Sequence, residues 1–313
     1  MRSETIRGFK LPMKTERSSP RYSSIDLWES EDILESLIEA QFSAVAAVRA
    51  ALPAIKSAAI AMEVRLRDRG RLVYAGAGTS GRLAVQDGAE LMPTFGWPED
   101  RLSLLMAGGQ TALLQSVEGA EDGVEQAVNL VGELEINVDD VLIAVAASGT
   151  TPFTLSCLRE AKRRGALTIG IANNPATPLL EESHHPILLD TGSEPIAGST
   201  RLKAGTAQKV TLNMLSSLLM ILLGRIYRGL MVDVRALNEK VVRRSEEMLV
   251  QLTGRSRDDA HNALERAQGS VKLAMLLLQG CDLETATSLL NRSGGQLRKA
   301  LELMNAPGAA MSR

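Results

Sequence analysis

The chain predicts an α/β fold: a doubly wound five-stranded parallel sheet with an N-terminal helical arm and a small C-terminal all-helical domain. Three observations carry this. Five short apolar runs, at 72–75, 102–106, 141–146, 167–171 and 187–190, alternate with stretches of helical period. The first run breaks into GAGTSG (76–81), a loop so rich in glycine that it must turn tightly before the next helix. From about Arg244 the chain reads as wholly helical and repeats with a period of 26 residues, 260–275 on 286–301, pairing Leu264 with Leu290 and Gly269 with Gly295. The expected division is 1–53 (arm and helix), 54–243 (the sheet domain) and 244–313 (the helical repeat).

Taken in order, residues 1–26 hold Pro12, Pro20 and many Ser and Arg without a sustained period, and read as an extended arm that wraps the body. Apolar residues at Ile33, Leu34, Leu37, Ile38, Ala40 and Phe42 predict a helix from Leu27 to Arg49. Pro53 then starts a second helix, 54–69, the pair forming a helical hairpin on the sheet. The sheet follows. Its ligand-bearing loops lie at the carboxyl ends of the strands: GAGTSGR (76–82), AGGQTA (107–112), AASGTTP (146–152) and ANNPAT (172–177).

Composition removes several function classes. The 313 residues are 45% hydrophobic, enough for a core, and a formal net charge of −2 with mixed signs offers no field for nucleic acid or an anionic membrane. Trp28, Trp97 and three tyrosines are too scattered for base stacking. The most hydrophobic run, 212–223, is too short to span a bilayer, and no apolar signal segment opens the chain. Cys157 and Cys281 form no metal or disulfide pattern, which fits a reducing cytoplasm. His184, His185 and His261 have no companion at metal spacing, and HHP reads as the start of strand five.

Gly76, Gly78 and Gly81 give the dinucleotide pattern G-x-G-x-x-G. Two features argue against a nicotinamide cofactor: Thr79 and Ser80 crowd the pyrophosphate approach, and no acid closes a second strand about 20 residues on. No cofactor is expected. Thr79 and Ser80 instead stand at a helix start, where free N–H groups and hydroxyls cradle an anion. In AASGTTP, Ser148, Thr150 and Thr151 precede a helix and Gly149 lets the backbone fold around a phosphate; a simple capped helix is the other reading of that turn. Two such turns at the ends of strands one and three favour a sugar phosphate. Arg201, Lys203 and Lys209 surround the start of a long apolar helix, against its macrodipole, so an anion or a partner subunit would explain them; for Lys209 solvated surface charge is preferred.

Two acids stand out. Glu90 ends the helix after strand one, ahead of a helix-stopping Pro93, in a weakly polar stretch where partial desolvation would suit a general acid. Glu121 lies in SVEGAED after strand two, flanked by Glu118 and Asp122, and spacing does not choose among the three. An unbroken helix would put Thr79 and Glu90 about 16 Å apart, longer than a phosphohexose. Either that helix breaks early or Glu90 serves a site on a neighbouring subunit, a shared site in a homodimer.

GAGTSGRL, D-x-x-E-x-x-PTFG (Asp87, Glu90, 93–96), VEGAED, AASG-x-TP, GS-x-R-x-KAGTAQK and LMVDV-x-x-x-NEK together closely resemble the N-acetylmuramic acid 6-phosphate etherases, from TER (15–17) to the helical repeat. The resemblance implies a sugar isomerase (SIS) domain, a metal-free homodimer, and removal of D-lactate from an amino sugar phosphate in cell-wall recycling. It implies Glu90 as the acid at the ether and Glu121 as the second acid/base, the C2 base. It also implies that Thr79, Ser80, Ser148, Gly149, Thr150, Thr151 and Lys203 hold the phosphosugar. The chain departs from the family pattern at Gly88 and Ala89, where Ala and Ser are usual, at Thr150, where Arg is common, and at Ser19 in place of Asn. Rival readings are an aldose–ketose isomerase or deaminase on a sugar phosphate, and a phosphosugar sensor without chemistry.

Overall fold

Continuous apolar runs bury both faces of a strand, and all five become strands of one parallel sheet in the computed structural model, which describes residues 13–234 and 239–306. The expected arm's first twelve residues, the 235–238 part of the LMVDV-x-x-x-NEK stretch and the last seven residues lie outside the described residues. The strands are β1 (Leu72–Gly76), β2 (Leu102–Met106), β3 (Val141–Val145), β4 (Leu167–Ala172) and β5 (His185–Leu188), in the order β2-β1-β3-β4-β5. β5 begins at His185 rather than Ile187 and takes in Pro186, which an edge strand tolerates because its outer N–H has no partner to lose.

The helical hairpin expected before the sheet is one helix, α1 (Ser30–Leu66), running straight through Pro53. Its buried residues, Ala44, Val48, Ala51, Ile55, Ala59, Met62 and Leu66, keep a single phase across the proline. Pro53 lies on the exposed side, where the carbonyl it leaves unbonded meets water. By length and composition α1 is also apolar enough to cross a bilayer, which the 212–223 run is not. Of its most apolar stretch 39% is buried, and small residues there let α1 lie close against the sheet and a later helix.

Around the sheet stand α2 (Gly78–Ala89), α3 (Leu91–Phe95), α4 (Thr111–Leu114), α5 (Val124–Glu133), α6 (Pro152–Arg163), α7 (Pro178–Glu182) and α8 (Lys203–Leu222). Leu72, Tyr74, Ile143, Val145, Ile169 and Ile171 point to the face covered by α1, α2 and α8. Val73, Ala75, Leu142 and Ala144 point to the face of α5, α6 and α7. Pro93 does not stop a helix: it sits in the first turn of α3, where no N–H is required, and Gly96 ends that helix at φ 64°.

A short hairpin that the sequence did not announce, β6 (Ile226–Tyr227) with β7 (Leu230–Met231), turns at Arg228 and Gly229, both at positive φ. Beyond it come α9 (Glu239–Thr253), α10 (Arg257–Arg266), α11 (Val271–Leu278), α12 (Leu283–Arg292) and α13 (Leu297–Asn305). α10 and α11 recur 26 residues later as α12 and α13, and a separate apolar core of Tyr227, Val232 and residues from Met248 to Ala300 holds them together.

Candidate functional site

β1, β2 and β3 end level, Gly76 lying opposite both Met106 and Val145. The loops after β1 and β3 leave for opposite faces, so this is the point where the sheet's winding reverses and ligands collect. Two helices start here without a side-chain cap, α2 and α6. In α2 the first helical bond is from Gly81 N–H to the Ala77 carbonyl, 3.0 Å, leaving the N–H groups of Gly78, Thr79 and Ser80 unspent. A Cβ on Gly81 would lie 2.7 Å from the Gly76 carbonyl, so this glycine lets the helix start press onto β1. Ser80 is buried and Thr79 partly exposed.

The AASGTTP turn is organised by its own hydroxyls. Ser148 Oγ accepts from the Thr150 N–H at 3.1 Å and lies 3.3 Å from Thr151 Oγ1, the N-cap residue of α6. Gly149, at φ 70°, stands where the Thr177 side chain occupies the space of a Cβ. Ser148, Thr150 and Thr151 remain partly exposed.

A cavity of ≈ 310 Å³ opens at the α2 start, lined by Ala77, Gly78, Arg82, Ala112, Glu118 and Glu121 among others. Glu121 lies in a single 3₁₀ turn, Ala120–Asp122, and is exposed, as is Glu118; of the three acids, Asp122 does not line the cavity. Arg82 ties the far wall, its Nε donating to the Ala112 carbonyl at 2.9 Å and its Nη2 to that of Gln115 at 3.1 Å. One wall therefore offers Ala77 and Gly78 at the positive start of α2 and the other two carboxylates, while Thr79, Ser80, Ser148, Thr150, Thr151 and Lys203 lie outside this lining.

Glu90 is elsewhere. α2 is unbroken, which removes the early-break alternative and sets Glu90 about 16 Å from Thr79 at the helix's far end. Nor does one chain desolvate it: Glu90, Met92 and Pro93 are exposed because α3 turns that segment outward.

Lys203 opens α8 but is only 7% exposed, and its Nζ donates to the Thr191 carbonyl at 2.9 Å. Burial lowers its pKa and the nearby Glu194 carboxylate pulls it up. Fully buried Glu194 caps α8 with both oxygens, accepting from the N–H of Lys203 and of Ala204, each at 2.9 Å. Lys209 is exposed and bonded to Asn213, as expected of a surface charge. The described part of the arm reaches this edge of the sheet as three 3₁₀ turns, where the sequence reading expects an extended arm. Buried Thr15 exchanges hydrogen bonds with Asn174, whose Nδ2 also donates to the Ala147 carbonyl behind AASG.

The SIS domain family matches residues 112–218, and the glucokinase regulatory protein N-terminal SIS domain matches 55–162. An N-acetylmuramic acid 6-phosphate etherase of Deinococcus radiodurans is 48% identical over 96% of this chain and 99% of its own. That of Streptomyces coelicolor is 44% identical, covering 92% and 93%, and N-acetylmuramic acid 6-phosphate etherase 2 of Vibrio cholerae is 41% identical, covering 92% and 94%. The chain belongs to the N-acetylmuramic acid 6-phosphate etherase family.

In this etherase-family chain, sequence reasoning missed Glu194 and Arg82, and gave Asp87 no role. Asp87 is buried, accepting from Tyr74 OH at 2.8 Å, Asn213 Nδ2 at 2.7 Å and Ser216 Oγ at 3.2 Å. Burial raises its pKa against those three donors. Asp87 thus ties α2 to β1 and α8 one turn before Glu90. A polar residue on the apolar side of α2 was the signal available. No group of three or more metal-ligating side chains occurs among the described residues.

Proposed function

We propose that this chain cleaves the D-lactyl ether of N-acetylmuramate 6-phosphate with water, giving N-acetylglucosamine 6-phosphate and D-lactate. The carrying observation is the cavity that sets the uncapped start of α2 against Glu121. The 6-phosphate takes the N–H groups and hydroxyls of 78–80 and 148–151. Lys203, turned to Thr191 here, adds charge at the same edge. Once the ring opens, C2–H is acidic because it is alpha to the aldehyde, and the ether oxygen on C3 is beta to it. Glu121 removes the C2 proton. Glu90 protonates the departing lactate oxygen, leaving a C2–C3 double bond, and then activates the water that adds at C3 as Glu121 returns a proton to C2.

Within a chain Glu90 stands too far away, so the reading needs Glu90 of a second copy. α1 offers that copy a surface: Leu34, Ile38, Phe42, Val45 and Leu52 are 41–70% exposed along its length, an apolar stripe too large to leave wet. We read the enzyme as a homodimer with shared sites, its catalysis within 54–243 and residues 244–313 as an appendage. It works in a reducing cytoplasm, to which the two free thiols are suited.

The test supplies N-acetylmuramate 6-phosphate in D₂O and follows D-lactate together with deuterium at C2. Wild type releases lactate without added metal or nucleotide. Glu121→Gln loses both signals, whereas Glu90→Gln loses lactate and keeps C2 exchange. A Glu90→Gln enzyme with full lactate release would overturn these roles. Ketose or ammonia from glucosamine 6-phosphate would point to an isomerase or deaminase, and binding without turnover to a sensor.

A further inference from the structure

Between the sheet domain and the helical repeat lies a second cavity, ≈ 350 Å³, bordered by Arg67, Trp97, Arg225, Asp233 and Lys272. Its cations are engaged: Arg67 with Glu63, Arg225 and Lys272 with Asp233. It is a junction rather than a ligand site, and its ion pairs form a continuous path. Lys272 of α11 reaches Asp233 Oδ1 at 2.9 Å and the Gly295 carbonyl in the α12–α13 turn at 2.8 Å. Asp233 Oδ2 lies 3.1 Å from Arg225 Nη1, which donates to the carbonyls of Phe95 at 3.0 Å and Gly96 at 2.8 Å. Those carbonyls end α3, the five-residue helix that Glu90 begins.

Gly96 shows how tight this contact is. A Cβ there would lie 2.2 Å from the Asp233 carbonyl, so the chain after β7 rests directly on the end of α3. Trp97, next in sequence, is 1% exposed, with Arg101 at 4.6 Å and Arg225 at 5.0 Å from its ring. The segment carrying Glu90 is thus held on one side by Asp87 and on the other by a carboxylate that also grips the repeat.

We infer that Asp233 is a positioning residue for Glu90, and that through it the C-terminal repeat sets where Glu90 stands. This rests on Glu90 acting as the acid at the ether. Glu121 belongs to another segment, at the opposite end of α2, so loss of Asp233 separates the two chemical steps. Full-length Asp233→Asn is supplied with N-acetylmuramate 6-phosphate in D₂O. Lactate release falls about tenfold or more, while C2 exchange and KM stay within about twofold. A general structural defect lowers both rates in parallel, and that result, or no loss in either, overturns the inference. Should Asp233→Asn not fold, Lys272→Met is read by the same two rates. Glu90→Gln separates the two possible failures. Wild-type lactate release from it removes the reading beneath the inference, whereas an inactive Glu90→Gln beside an unaffected Asp233→Asn removes the inference alone.

Discussion

At Glu194 one carboxylate resolves the oddity of a lysine at a helix start. The macrodipole of α8 opposes Lys203, and Glu194 compensates by bonding two first-turn N–H groups while standing close to the ammonium. Glu194→Gln keeps the shape and removes the charge, and is expected to lower the unfolding free energy by about 2 kcal/mol in urea titrations. Lys203 was legible as a cation with an unusual place. Its acid was not, because Glu194 lies nine residues earlier in a loop with no period to mark it as buried. The same holds for Asn174, whose role depends on Thr15 from the far end of the chain.

At the scale of elements, the join of α9 to α10 is a charge cluster with a pH signature. Glu246 of α9 accepts from Arg257 Nε and lies 2.8 Å from His261 Nδ1. The hydrogen bond to Glu246 raises the His261 pKa above its ordinary 6.5, and the same contact holds Glu246 below 4.5. The histidine's contribution is complete below 6.5 and fades as pH climbs through its raised value. That of Glu246 is present above 4.5 and fades on acidification through its lowered value. The melting-temperature gap between wild type and His261→Asn should therefore be widest between pH 4.5 and 6.5 and narrow as the pH climbs through the histidine's raised value.

The repeat that carries this cluster was legible because its glycine turns and leucines return every 26 residues. The β6–β7 hairpin was not, since two-residue strands leave no periodicity and only Arg228-Gly229 marks the turn. α1 misled for a physical reason: proline ends a helix when its missing bond is buried, and Pro53 faces outward.

For the whole molecule, the sheet was readable because a parallel strand buried on both faces is an uninterrupted apolar word, and the loops that matter follow from where such words end. Glu90 was readable as an acid of interest, but its surroundings were not. Its place at the far end of an unbroken α2 means that the proposed role at the ether requires a second copy, the shared site that the spacing of Thr79 and Glu90 in the sequence already raised.

That twelve-residue helix has a genetic consequence. If each reaction centre draws Glu121 from one chain and Glu90 from its neighbour, two inactive proteins repair one another. Glu90→Gln and Glu121→Gln subunits, unfolded together and refolded as a mixture, pair in part as hybrids in which one centre has lost both acids and the other has kept both. Lactate release should reappear from two preparations that are each inert, whereas a centre built from a single chain would leave the mixture as silent as its components.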